Sequence, residues 1–199
     1  MAFQPLTPGT LLCPVPAVMV SCASETARPN IITIAWAGTA CSQPPMVSIA
    51  VRKERFSHPI IVQTGEFVVN LVGEEQLKAA DFCGVKSGRD TDKFAACGLT
   101  CVPVPQMQYA PAIGECPLYL ACKTRHVLEL GSHDLFIGEV VGMGVQEALM
   151  DGNGKIDLEK ARLTAYSHGV YHGLGEALGF FGCSVAAPDV YERRMKELK

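Results

Sequence analysis

The chain has 199 residues, 48% of them hydrophobic and 19% charged, with a net charge of −3. A chain of that size and composition buries a full core, which excludes a disordered or fibrous protein. A slightly acidic balance argues against nucleic-acid binding through a general basic surface, and no apolar run approaches the length of a membrane helix.

Pro and Gly punctuate short apolar segments rich in Val and Ile. Residues 17–24, 30–38, 46–52 and 66–72 read as strands on that pattern. Between them, 57–65 reads as a helix with Ser57 as N-cap, Pro59 in its first turn and Gly65 at its end. A second helix is expected over 74–84, closed by Gly84, and a third over 90–98, capped by Asp90 or Thr91. Residues 117–130 and 133–149 read as two longer strands joined at Gly131-Ser132 as a hairpin. Strand signals thin out after about residue 150. Many strands without regular long helices between them predict a mainly β barrel with a few short decorating helices, as one domain over 1–199. The nine cysteines are odd in number and show no CxxC. With an N-terminus that lacks a basic leader, they fit a reduced, soluble, cytoplasmic protein.

Two strands each carry one face of small residues. In 30–38 that face is Ile31, Thr33, Ala35 and Ala37; in 46–52 it is Ser48, Ala50 and Arg52. Either a flat ligand or a covering helix or partner suits such faces. At the end of the second strand, Arg52, Lys53 and Arg55 precede Ser57. Cations next to a helix start make a seat for an anion, most simply a phosphate. A second basic loop, 84–94, brings Lys86, Ser87, Arg89 and Lys93. Neither GxxxxGK[ST] nor a strand-linked GxGxxG is present, so a P-loop and a Rossmann site are excluded. A flat slot leading into a phosphate seat has the shape that a mononucleotide such as FMN requires.

Five blocks in order, Asn30–Trp36 (N-x-x-T-x-A-W), Pro44–Arg52 (PP-x-V-S-x-A-V-R), Thr64–Leu71 (T-G-E-F-V-V-N-L), Ser87–Phe94 (S-G-R-D-x-D-K-F) and Gly131–Val140 (G-x-H-x-x-x-x-G-E-V), resemble the flavin reductase-like, flavoredoxin family. The resemblance implies a split β-barrel that binds FMN, acts as a homodimer and passes electrons between NAD(P)H, small molecules or protein redox partners. It places Asn30, Thr33, Ala35, Trp36, Ala37, Gly38, Ser48 and Ala50 along the ring and ribityl chain. It places Arg52, Lys53 and Ser57 on the phosphate, with Lys86, Ser87 and Lys93 as further candidates. His133 is the candidate catalytic residue, lining the face where a nicotinamide stacks; a turn histidine bonded to backbone is the other reading. In some ferric reductases of this type a Cys and a His lie near the flavin, which makes Cys41 with His133 a possible iron or zinc pair. Tyr166, His168, Tyr171 and His172 either cover the flavin or pack at an interface. A non-enzymatic flavin- or metal-binding protein on the same barrel is the alternative.

Overall fold

The computed structural model describes residues 1–198. The chain forms β1 (Val15–Pro16), β2 (Val18–Cys22), β3 (Asn30–Ile34), β4 (Ala37–Ser42), β5 (Pro45–Arg52), α1 (Ser57–Thr64), β6 (Glu66–Leu71), α2 (Leu77–Val85) and α3 (Lys93–Cys97). There follow β7 (Cys101–Val102), β8 (Ala112–Ile113), β9 (Leu118–Glu129), β10 (His133–Val145), β11 (Thr164–Ser167), β12 (Val170–Gly173) and α4 (Pro188–Glu197).

Seven strands make one antiparallel sheet in the order β3-β2-β6-β9-β10-β5-β4. Its two outer strands, β3 and β4, are consecutive in the chain and joined only by Ala35 and Trp36. The sheet therefore curls until its edges meet, yet no ladder pairs β3 with β4. This is the mainly β split barrel that the sequence led us to expect, decorated with short helices. The strand expected over 30–38 is broken because Ala35-Trp36 turns the corner; Trp36 O still accepts from Ala50 N at 2.9 Å.

Alternation decides what fills the barrel. Val18, Val20, Ile32, Ile34, Val47, Ile49 and Val51 point inward onto Phe67 and Phe136, and Ile60 and Ile61 of α1 join the same cluster. On the outside of β2 and β3, Met19 and Ile31 pack with Ala80, Cys83 and Phe94 of α2 and α3. The small face of β3 is thus covered by a helix: Thr33 Oγ1 donates to Ala80 O. Among the described residues no helix packs on β5 in this way, and Ser48 and Ala50 on its outer face are half-buried.

Helix ends differ in detail from expectation. Ser57 is the first residue of α1 rather than its cap; Phe56 holds the cap position without a side-chain bond, because the Ser57 hydroxyl is buried and accepts from Asn30 Nδ2 at 2.7 Å. α2 starts after a 3-10 turn at Glu74–Gln76 and runs past Gly84 to Val85. α3 is capped by Asp92, whose carboxylate accepts from Ala95 N at 3.1 Å, not by Asp90 or Thr91. The long hairpin β9–β10 forms as expected, with Gly131 at φ 80°, a conformation that favours glycine. After residue 150 the sequence missed β11 and β12, which pair with β1 in a separate three-stranded sheet. Among the described residues, no helix is long and apolar enough to cross a membrane.

Candidate functional site

Two adjoining cavities open where β3, β5, α1 and α2 come together. The first, of about 420 Å³, is lined by Ile32, Thr33, Ile34, Ala35, Trp36, Ala50, Arg52, Arg55 and His133, with Tyr166, Gly169 and Tyr171 on the far wall. The second, of about 370 Å³, is lined by Asn30, Arg52, Glu54, Arg55, Phe56, Ser57, Lys86, Ser87, Gly88, Arg89 and Lys93. Ile32, Arg52 and Arg55 are walls of both.

The first cavity is aromatic. Trp36, 44% exposed, tilts against His133 with ring centroids 4.7 Å apart. Tyr166 and Tyr171 meet at 5.2 Å, and the Tyr171 hydroxyl donates to Asp81 Oδ1 at 3.3 Å, tying the β11–β12 hairpin to α2. His133 stands on β10 opposite Arg52 on β5. Burial, and then the Arg52 guanidinium, hold the His133 pKa below its ordinary value, so its ring is neutral at pH 7. Its Nδ1 lies 2.9 Å from Ser132 Oγ.

The second cavity is cationic. Arg52, Arg55, Lys86 and Arg89 surround it, and Ser57, the first residue of α1, is part of its lining. Arg52 pairs with Glu54 at 3.0 Å in solvent, while Arg89 Nη2 donates to Glu54 O at 3.1 Å. Gly88 lets this loop lie against the barrel: a Cβ there would stand 2.1 Å from Asn30 Oδ1 and 2.6 Å from Phe56 Cδ1. Beneath lies Lys93, 3% exposed, whose ammonium donates to Ile31 O and Cys83 O at 2.7 Å each. No carboxylate among the described residues reaches it. Desolvation accordingly lowers its pKa.

The structure brings together most of the candidate residues, in two groups. Thr33, Ala35, Trp36, Ala50 and His133 line the first cavity; Asn30, Ser57, Lys86, Ser87 and Lys93 line the second; Arg52 belongs to both. Four do not reach either. Ala37, Gly38 and Ser48 lie further along the β4–β5 ladder, where Gly38 and Ser48 face each other. Lys53 turns away and pairs with Glu129 at 2.7 Å and Asp134 at 3.4 Å. The suggested metal pair is also separated. Cys41 is opposite Met46 and His133 opposite Arg52, so they stand at the two ends of β5, about 20 Å apart along the strand at ~3.4 Å per residue. No metal-binding cluster of His, Cys, Asp or Glu occurs among the described residues.

Arg55 and Arg89, which the sequence shows only as members of the basic loops, both line the second cavity. Tyr166, Gly169 and Tyr171 reach the first cavity only because β11 and β12 form a hairpin. The alternation of T-A-Y-S and V-Y-H-G around Ser167-His168-Gly169 was the available signal. His168 and His172 of that group do not line it.

A family model described as the flavin reductase like domain matches residues 11–186. The chain belongs to this family. The flavin reductase-like chain is similar to the flavoredoxin of Desulfovibrio vulgaris (Miyazaki F) at 33% identity and a TM-score of 0.83, over 90% of this chain and 97% of that one. It is 31% identical over 124 residues to the reductase component of 4-nitrophenol 4-monooxygenase/4-nitrocatechol 2-monooxygenase of Rhodococcus opacus, covering 62% of this chain and 63% of that relative. It is 25% identical over 126 residues to the NADH:riboflavin 5'-phosphate oxidoreductase of Streptomyces pristinaespiralis, covering 63% and 68%. These findings support a flavin-linked redox function for the flavin reductase-like chain.

Proposed function

We propose that this chain binds FMN across both cavities and serves as a flavin-dependent oxidoreductase. Its ring would lie in the aromatic cavity and its phosphate in the cationic one. The donor and acceptor are of the family's kinds: NAD(P)H or a reduced protein on one side, and free flavin, ferric iron or a protein on the other.

The observation that carries this reading is the pairing of an aromatic cavity with a cationic one beside it. The donor set suits a phosphate monoester. Four exposed or part-exposed cations converge on one cavity, a buried ammonium without a carboxylate lies under it, and a glycine keeps the loop backbone close. An uncompensated buried charge is costly, and an anion in the seat would offset it. Volumes of about 420 and 370 Å³ lie within the usual range for small-molecule sites.

FMN, when bound, supplies the hydride- and electron-transfer chemistry. The chain's residues bind and orient. Arg52 and Arg55 stand at the junction of the cavities and are placed to grip phosphate oxygens while bounding the ring cavity. His133, neutral at pH 7, offers with Trp36 an uncharged aromatic surface at the cavity mouth. Asp81 and Tyr171, bonded to each other, are part of the same lining. A homodimer is part of the proposal: the half-buried outer face of β5, over which no helix packs among the described residues, and the exposed Trp36 are the surfaces a second copy would cover.

The test is to load the protein with FMN and add NADH or NADPH anaerobically while following flavin absorption. Bleaching by either nucleotide supports a nicotinamide-dependent reductase. Bleaching by dithionite alone points to a protein-fed carrier. A protein that ignores FMN contradicts the proposal and leaves a barrel without the redox role.

A further inference from the structure

Outside the two cavities, one group of charges has no part in the function just proposed. Asp134 is 5% exposed, and its Oδ2 lies 2.7 Å from His58 Nε2. Among the described residues its Oδ1 is buried without a hydrogen-bond partner, and Lys53 Nζ stands 3.4 Å from it. Burial works against the carboxylate, but the hydrogen bond with His58 and the neighbouring Lys53 ammonium outweigh it and lower its pKa. His58 is further fixed edge-on to Phe136, with ring centroids 5.5 Å apart at 72°.

The placement of these residues matters more than their charge. Lys53 directly follows Arg52, and His58 directly follows Ser57. A single buried carboxylate thus holds both ends of the short turn that carries Arg55 to the second cavity. With Lys53 and His58 drawn to Asp134, Arg52, Arg55 and Ser57 are left to converge on the cavity. Asp134 also follows His133 on β10, and strand alternation sends the two side chains to opposite faces.

We propose that Asp134, acting through Lys53 and His58, is a positioning residue for the anion seat. It touches no ligand; it sets the turn whose residues do. This rests on the reading of the second cavity as the phosphate seat of FMN.

The experiment compares FMN with riboflavin, which differ by the phosphate alone, by fluorescence titration of wild type, Asp134→Asn, Lys53→Met and Arg125→Met. In Asp134→Asn the Kd for FMN is expected to rise about tenfold, corresponding to ~1.4 kcal/mol, with riboflavin binding unchanged. The sign is diagnostic, because removing a negative charge near an anion seat would by itself strengthen FMN binding. Lys53→Met is expected to shift the FMN-to-riboflavin ratio in the same direction, and to do so still in about 0.5 M salt, where through-space effects are screened. Arg125→Met breaks the Arg125–Glu139 ion pair on the same hairpin and is expected to leave the ratio unchanged. An unaltered ratio in Asp134→Asn, or equal loss of both ligands, overturns the proposal. If Asp134→Asn does not fold, an unaltered ratio in Lys53→Met overturns it. A wild type that binds FMN no better than riboflavin overturns the phosphate-seat reading itself, and the positioning role with it.

Discussion

His133 stands directly opposite Arg52 on the β5–β10 ladder, with its ring against Trp36. Burial and the facing guanidinium keep that imidazole neutral at pH 7, its pKa below the ordinary 6.5. Replacing Arg52 with Met removes the second of these causes, so the His133 pKa should rise toward 6.5 in an NMR titration. The sign for stability follows. In the window between the lowered folded pKa and 6.5, the unfolded chain binds the proton and the folded chain does not, so His133 makes stability fall as pH drops through it. Arg52→Met should narrow that window; an unchanged His133 titration would contradict the assignment.

Arg55 is a wall of both cavities and is held by a long contact of 3.5 Å from Nη1 to Gly84 O. Its Met variant should lose about 2 kcal/mol of FMN binding for one charge-assisted bond, roughly thirtyfold in Kd. Riboflavin binding should change little. Equal losses for the two ligands would move the phosphate elsewhere.

Gly88 tests how tightly the seat is built. An alanine Cβ would meet Asn30 Oδ1 at 2.1 Å and the Phe56 ring at 2.6 Å. Gly88→Ala should cost about 1–3 kcal/mol of stability from overpacking, read by urea denaturation, and weaken FMN binding as the loop moves outward. A variant with wild-type stability would mean that the loop does not pack as described.

Alkaline stability is a separate matter of the core. Burial pushes the Cys22, Cys83, Cys116 and Cys122 thiols from 9.0 up to about 12. Between those values the folded chain keeps protons that the unfolded chain loses, so their stabilisation is complete below pH 9 and is lost as pH rises toward 12. Lys93, lowered from 10.5, acts in the opposite sense, as one group against four. Unfolding free energy should therefore fall from pH 8.5 to 10.5, and the slope should be shallower in Cys122→Val. An identical slope in that variant would remove Cys122 from the account.

The sequence was informative where local rules decide the outcome. Val-rich alternation located β2, β5, β6 and the β9–β10 hairpin, and the basic residues around Ser57 and Ser87 marked the loops that meet at the second cavity. It failed where long-range contacts decide. The corner at Trp36 exists because the sheet closes, which a periodicity of two along 30–38 cannot reveal. Lys53 looks like its neighbours Arg52 and Arg55, but it turns away because Glu129 and Asp134, far along the chain, attract it. Lys93 looks like a surface cation and is instead buried on two carbonyls. Tyr166 and Tyr171 reach the first cavity through two short strands paired with a two-residue β1, too little sequence to carry a pattern.

The most direct test of the central claim is an equilibrium titration of the apoprotein with FMN, followed by absorption and flavin fluorescence, with inorganic phosphate as competitor. Saturation is expected at one FMN per chain, with binding weakened as phosphate occupies the cationic cavity. No FMN uptake, or uptake indifferent both to phosphate and to the loss of Arg55, would contradict it.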